Sequence, residues 1–449
     1  MRLELRAARN GEVLARLDRA LPGGEVIRDG AHLRVGLSTA LGLDGLRQAA
    51  AVAMRSLRSS GGTIAWQIDD QLVAAPADQV RALVDGSSFG AYDAGLRKRG
   101  YAARTEATLV LDVDDSLAAG ARRQLRIVTH LERARDLANL PPNELTPRAL
   151  AAHALGLQQP HLTGEAHGRT WIEARGMGAF AAVASGSAEE PQLIVLRYDP
   201  PGARDELVLG LVGKGVTFDS GGVSLKPAAG MQNMKGDMCG AAVVIEATAA
   251  IAELGLPIRV LCVVPSTENL QGGRAYRPGD ILRAANGTTI EVTDTDAEGR
   301  LLLADALHFA RTEGATHIVD IATLTAAMTT ALGDLYGGWF CADDDFAAEV
   351  ETAARTAGEL VWRFPLHPRY RSYVDSDFAD LKNSSDLKQA GSILAAEFLR
   401  EFTGDGPWAH FDVSGPSFLR RRRPDYALDP GGTGYGLRLL VELAQRLSG

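Results

Sequence analysis

Apolar positions recur along this chain in two rhythms, short strand-like runs and longer stretches at helical spacing. Their alternation predicts the elements. In the first 135 residues, Thr63-Ile64-Ala65-Trp66-Gln67-Ile68 and Thr108-Leu109-Val110-Leu111-Asp112-Val113 read as strands, and residues 43–57 read as a helix. A further helix is expected over 121–139, with Leu125, Val128, Leu131 and Leu137 near helical spacing, and Pro141-Pro142 forbids its continuation. Thr146-Pro147 then offers a cap followed by proline, the favoured start of a new helix. Beyond residue 150, continuous apolar runs at 193–196, 207–212, 260–264 and 317–321 alternate with amphipathic stretches at 241–254 and 298–311. Strands apolar on both sides, separated by helices, predict a sheet covered on both faces, which binds ligands beyond the carboxyl ends of its strands. The expected fold class is therefore α/β with two domains. A smaller N-terminal α/β domain spans 1–135, and a larger domain over 136–449 holds a central mixed, mainly parallel sheet flanked by helices.

Composition narrows the partners more than it changes this picture. With 47 basic and 56 acidic residues, the formal charge of −9 argues against a general attraction to nucleic acid or anionic lipid. Arg420-Arg421-Arg422-Arg423 is the one strong basic cluster, and reads as a solvated loop or subunit contact. Three widely spaced cysteines, Cys239, Cys262 and Cys341, do not form a disulfide framework, and Cys262 sits in an apolar run as a small buried hydrophobe. The start Met1-Arg2-Leu3-Glu4-Leu5-Arg6 carries charge where a secretion signal would need an apolar stretch, so none is expected, and no run of apolar residues is long enough to span a membrane. A cytoplasmic setting is expected.

The chemistry gathers in glycine-rich text. The apolar run 207–212 leads into Gly213-Lys214-Gly215 and then Asp219-Ser220-Gly221-Gly222, where glycines let the backbone turn sharply and approach a ligand. Lys226 follows, and Asp237 stands just ahead of an apolar helix. Asp294, Asp296, Glu298 and Arg300 crowd into seven residues before the stretch carrying Leu301, Leu302, Ala304, Leu307 and Ala310. Carboxylates this close repel one another unless a cation holds them, and hard or borderline divalent ions with oxygen ligands are the usual solution. Asp219, Asp237, Asp296 and Glu298 together supply enough oxygen for two cations sharing a carboxylate and a water of lowered pKa, able to attack a carbonyl or phosphoryl centre. Taken singly, each acid before a helix would equally serve as a cap, and Asp219 as a turn residue. Gly213-Lys214-Gly215 lacks the Ser or Thr that a phosphate-binding loop carries after its lysine. Neither His-Glu-x-x-His nor Gly-x-Ser-x-Gly occurs, and His308 and His317 read as helix and strand residues.

At these residues the sequence resembles the leucyl aminopeptidase family, peptidase family M17. The resemblance lies in Val212 to Gly222, in Met234-Lys235-Gly236-Asp237-Met238 and in Thr295-Asp296-Ala297-Glu298-Gly299-Arg300-Leu301. Further similarity covers Asp320-Ile321-Ala322-Thr323-Leu324-Thr325 and Trp408-Ala409-His410-Phe411-Asp412, so that the match runs from about residue 130 to the C-terminus. It implies a metallopeptidase catalytic domain over 136–449 that releases N-terminal residues, leucine or other apolar ones preferred, by attack of a metal-bridging water. By the same resemblance Lys214, Asp219, Asp237, Asp296 and Glu298 bind two divalent ions, zinc or manganese, with Asp219 and Glu298 shared. Lys226 would polarise the scissile carbonyl, Arg300 would hold a bicarbonate acting as general base, and Met234, Thr323, Leu324 and the loop near Gly432 would surround the side-chain pocket. Peptides with a free N-terminus are the implied partners, and self-association as a homohexamer is implied too.

The family usually has Asn at Asp294 and Gly at Cys239 and Ala326; none of these departures removes a ligand. Two rival readings remain: a metal-dependent phosphoesterase using the same carboxylates, and a non-catalytic, DNA-associated protein on this scaffold.

Overall fold

The computed structural model describes residues 1–9, 12–38, 41–58, 60–95, 97, 99, 106–387 and 389–449. They form two compact units: Met1–Glu132 with Arg421–Pro430, and Arg133–Arg420 with Gly431–Gly449. The division falls inside the long helix Asp115–Asn139.

The first unit holds a six-stranded sheet. Its strands Arg2–Leu5, Ala107–Asp112, Gly62–Gln67, Val13–Asp18 and His32–Gly36 run parallel in that order, and Val26–Asp29 joins antiparallel at the edge. The helices Leu43–Arg55 and Pro76–Ala91 supply much of its apolar core.

In the second unit a nine-stranded mixed sheet forms the centre. Four parallel neighbours, Trp408–Asp412, His317–Ala322, Val208–Gly213 and Arg259–Asn269, make its middle, with antiparallel strands added on either side. Side-chain alternation explains why these strands read as continuous apolar runs. Leu261, Val263, Ile318 and Ala322 share one core cluster with Leu301, Leu302 and Leu307 of the helix Gly299–Thr312. Ile321, of opposite parity, meets the helices Cys239–Glu253 and Leu437–Ser448 near Val243 and Gly436. The α/β class and the larger mixed-sheet domain expected from the sequence are both present.

Candidate metal centre

The parallel strands deliver polar residues to one edge of the sheet. Lys214 follows Val208–Gly213, Asn269 closes Arg259–Asn269, Thr323 follows His317–Ala322, and Asp412 closes Trp408–Asp412. Just past Lys214 the chain resumes as Gly215–Asp219, still paired with the strand 259–269, so Asp219 reaches further out over the same edge. This is the carboxyl edge of the parallel strands, where α/β sheets take their ligands.

Two loops close over that edge. Gly221 and Gly222 take positive φ of 85° and 66° and turn the chain back on itself. A Cβ on Gly221 would stand 2.8 Å from Asp296 Oδ1, so no side chain fits there. Thr295 Oγ1 donates to the Gly221 carbonyl at 2.7 Å and accepts from the Ser224 amide at 2.7 Å, which locks the 220–226 loop onto 294–298. From the third side comes a 3₁₀ helix, Met231–Met238. With three residues per turn, Met231, Met234 and Asp237 line up on one face of it.

The side chains converge. Asp219, Asp296 and Glu298 each offer an oxygen, all within 4.8 Å of one another. Lys214 Nζ lies 2.8 Å from Asp237 Oδ2 and 2.7 Å from Glu298 Oε1, and donates to the Thr323 carbonyl at 2.9 Å. Lys226 Nζ lies 2.8 Å from Asp219 Oδ2 and also pairs with Asp296. Thr323 Oγ1 donates to Asp237 Oδ1 at 2.7 Å. Asp219 Oδ1 accepts from the Gly221 amide and from Asn269 Nδ2, both at 2.8 Å. The turn role open to Asp219 is thus real, and leaves Oδ2 directed into the cluster. Neither Asp237 nor Glu298 serves as a side-chain cap. Asp237 does stand just ahead of the helix Cys239–Glu253, but inside the 3₁₀ helix that leads into it, and that helix start has no side-chain cap bond; Glu298, at the cap position of Gly299–Thr312, makes none either.

The donor set fits divalent cations. Asp237 Oδ2, Asp296 Oδ1 and both Glu298 oxygens are buried and accept no aligned hydrogen bond, although ammonium groups stand near. Carboxylate oxygens so placed are costly unless a charge satisfies them, and hard oxygen donors beside an amine suit such ions. Burial pulls the Lys214 ammonium towards deprotonation, but Asp237, Glu298 and Asp219 more than reverse this, and the group is held protonated. For Lys226 the same contest, with Asp219 as the leading carboxylate, also ends with the proton held. Burial raises the carboxyls of Asp237 and Glu298, and Asp219 adds repulsion to both.

Arg300 is buried and is not among the residues lining the pocket over these side chains. Its Nη1 donates to the Asn383 carbonyl at 2.7 Å and its Nε is buried without a partner, while burial lowers its pKa to about 10. A pocket of about 290 Å³ opens over the cluster, lined by Lys214, Asp219, Lys226, Asp237 and Asp296. Met234, Thr323 and Leu324 line it as well, so the expected pocket residues share one wall system with the acidic group. Gly432 is not among the lining residues; it pairs with Phe418, whose ring covers Gly236 in the pocket. The departures take distinct places. Asp294 Oδ1 accepts the Asp296 amide at 2.9 Å, Ala326 lines the pocket, and Cys239 is buried with its Sγ 3.7 Å from the Ser417 carbonyl.

Residues the sequence did not single out hold this arrangement. Asn269 Nδ2 bridges Asp219 and the Thr295 carbonyl, at 2.8 and 3.0 Å. Asn383 Oδ1 accepts the Thr293 amide at 2.8 Å, and its Nδ2 donates to the Asp294 carbonyl at 2.6 Å. Asp412, fully buried, accepts from Thr325 Oγ1 at 2.6 Å, Ser414 Oγ at 2.6 Å and the Leu324 amide at 3.3 Å. It thereby fixes the 323–325 segment that contacts both Lys214 and Asp237. Asp412→Asn substitutes an N–H for a charged acceptor. It is expected to lower kcat/KM about tenfold while metal content, read by elemental analysis, stays at the parent value.

An acidic cluster at the carboxyl edge of a mixed α/β sheet is the arrangement expected of a metal-dependent hydrolase. The profile of the cytosol aminopeptidase family, catalytic domain (Peptidase_M17), matches residues 132–441. A protein of Solibacter usitatus called "probable cytosol aminopeptidase" is 43% identical over 403 residues, covering 89% of this chain and 83% of its own length. One of the same name from Roseiflexus castenholzii is 41% identical over 432 residues, covering 94% and 87%. Among solved structures, the bottromycin maturation enzyme BotP in complex with Mn superposes with a TM-score of 0.88 at 34% identity, covering 100% of this chain and 99% of that one. The chain belongs to the cytosol aminopeptidase family, and is a metallo-aminopeptidase.

Proposed function

We propose that this enzyme uses two divalent ions, zinc or manganese, to release N-terminal amino acids with apolar side chains from peptides. The observation that carries this reading is the convergence of Asp219, Asp296 and Glu298 to within 4.8 Å, with buried carboxylate oxygens lacking aligned donors. Lys214, Asp219, Asp237, Asp296 and Glu298 would hold the ions, Asp219 and Glu298 being shared. Such ions supply Lewis acidity, lowering the pKa of water and polarising a carbonyl. As a ligand, Lys214 would have to give up the proton that the carboxylates otherwise hold on it.

The remaining steps belong to the chain's own groups. Lys226, protonated and on the pocket wall, donates to the oxygen of the scissile carbonyl as negative charge grows on it. Arg300, buried with an unpartnered Nε, offers a place for bicarbonate, which would accept the proton of the attacking water. Met231, Met234, Leu324 and Phe418 give the pocket an apolar wall for the first side chain. Assembly as a homohexamer and a cytoplasmic location are proposed from the family. Among the described residues, no helix is long and apolar enough to cross a membrane.

The test is a side-by-side assay of metal-stripped protein reloaded with Mn²⁺ or Zn²⁺. Leucine p-nitroanilide is expected to turn over, and p-nitrophenyl phosphate is not. Turnover of the phosphate ester alone would overturn the peptidase reading.

A further inference from the structure

The same pocket carries a cation that the proposed chemistry does not use. Its lining includes three carboxylates, Asp219, Asp237 and Asp296, and two lysines already engaged with acidic side chains, Lys214 and Lys226. It also includes Arg420, which is exposed and has no ion pair or hydrogen-bonded partner among the described residues. Arg420 stands just past the end of the short strand Phe418–Leu419, which pairs with Gly431–Gly432. Phe418 and Arg420 both line the pocket, while the intervening Leu419 is buried away from it. The Phe418 ring covers Gly236, the neighbour of Asp237. Arg420 is thus two residues along the chain from the ring that stands beside the acidic cluster, on the wall of the same pocket. The lining also carries the uncharged polar residues Asn233, Thr329 and Ser414.

We propose that Arg420 is a specificity-determining residue that reads a carboxylate on the peptide substrate. A guanidinium offers a fork of N–H donors matched to a carboxylate, and the walls of a pocket focus its field. The carboxylate has two sources on a peptide: the side chain of an acidic residue near the N-terminus, or the C-terminus of a peptide short enough to reach. A peptide bearing such a carboxylate would thus be favoured over its neutral counterpart. This inference rests on the aminopeptidase reading.

The test compares the parent with Arg420→Ala and Arg420→Lys in the metal-loaded full-length protein. One arm takes the kcat/KM ratio of Glu- to Gln-p-nitroanilide; the other takes the ratio of Leu-Gly to Leu-Gly-amide. In at least one arm the ratio is expected to fall about tenfold in Arg420→Ala, to recover in part in Arg420→Lys, and to fall in the parent as salt is raised. The arm that responds identifies the source of the carboxylate. Binding of the non-hydrolysed product Glu to metal-free protein, followed by calorimetry, gives a readout independent of turnover, and should weaken in Arg420→Ala if the side-chain arm responds. Ratios unchanged in both arms, with the neutral substrates still cleaved, would overturn the role of Arg420. Absence of cleavage of any aminoacyl substrate by the parent would instead overturn the aminopeptidase reading.

Discussion

Asp237→Ala is expected to abolish stable metal retention and, with it, nearly all peptidase activity. Asp237 is 7% exposed, and its two oxygens divide their tasks. Oδ1 is fixed by Thr323 Oγ1 at 2.7 Å, while Oδ2 accepts no aligned hydrogen bond and faces Lys214 Nζ at 2.8 Å. One oxygen tethered and the other directed inward is the arrangement a ligand needs. Partners that only orient a ligand are worth about 10–100-fold in metal affinity, so losing a direct carboxylate should cost on the order of a hundredfold or more. Elemental analysis after dialysis, set beside kcat/KM on leucine p-nitroanilide, checks both. Metal stoichiometry equal to the parent's would remove Asp237 from the ligand set, whatever happened to activity. Asp237→Asn separates charge from shape, since it keeps an oxygen for Thr323 but removes the negative charge opposite Lys214.

How the sequence announced this centre, and where it was silent, follows from the range of the forces involved. Glycines at 221 and 222 are forced by positive φ and by the approach of Asp296, and the adjoining acidic text of 294–298 cannot be stable without a counter-charge. Both are local requirements, and both were legible. The alternation of apolar strands and helices placed the sheet for the same reason: each run must satisfy burial on its own face. The 3₁₀ helix Met231–Met238 was not legible, because its period of three competes with the apolar helix that follows it. From the sequence Asp237 reads as standing directly ahead of that helix, where a cap and a metal ligand look alike. Asn269, Asn383 and Asp412 act through partners 26 to 90 residues away in sequence, and no local pattern marks an amide or acid whose partners are brought by topology. Their common signal is positional for Asn269 and Asp412, the last residues of parallel strands. Residues 421–430 gave no sign that they pack in the first unit, where Asp429 pairs with Arg58 at 2.5 Å.

Lys226→Ala should separate catalysis from metal binding. The Lys226 side chain is 22% exposed at the pocket, whereas that of Lys214 is 4% exposed and wedged between Asp237 and Glu298. The same residue type therefore serves two ends: Lys214 is enclosed by prospective ligands, and Lys226 meets whatever enters. Without cations the ammonium of Lys226 neutralises Asp219 and Asp296, and the carboxylates around it keep it charged. With ions held by those carboxylates, the ammonium would be free to face the substrate, where a positive donor is worth most as the carbonyl oxygen becomes anionic. Its removal is expected to lower kcat about 10²–10³-fold, the loss typical of one oxyanion donor, with KM changed far less because the ground-state carbonyl binds it weakly. Metal content should match the parent, since alanine removes a competitor for Asp219 and Asp296 rather than a ligand. A variant that lost metal in proportion to activity would make Lys226 a structural counter-ion. A variant with unchanged kcat would show that the oxyanion is stabilised elsewhere.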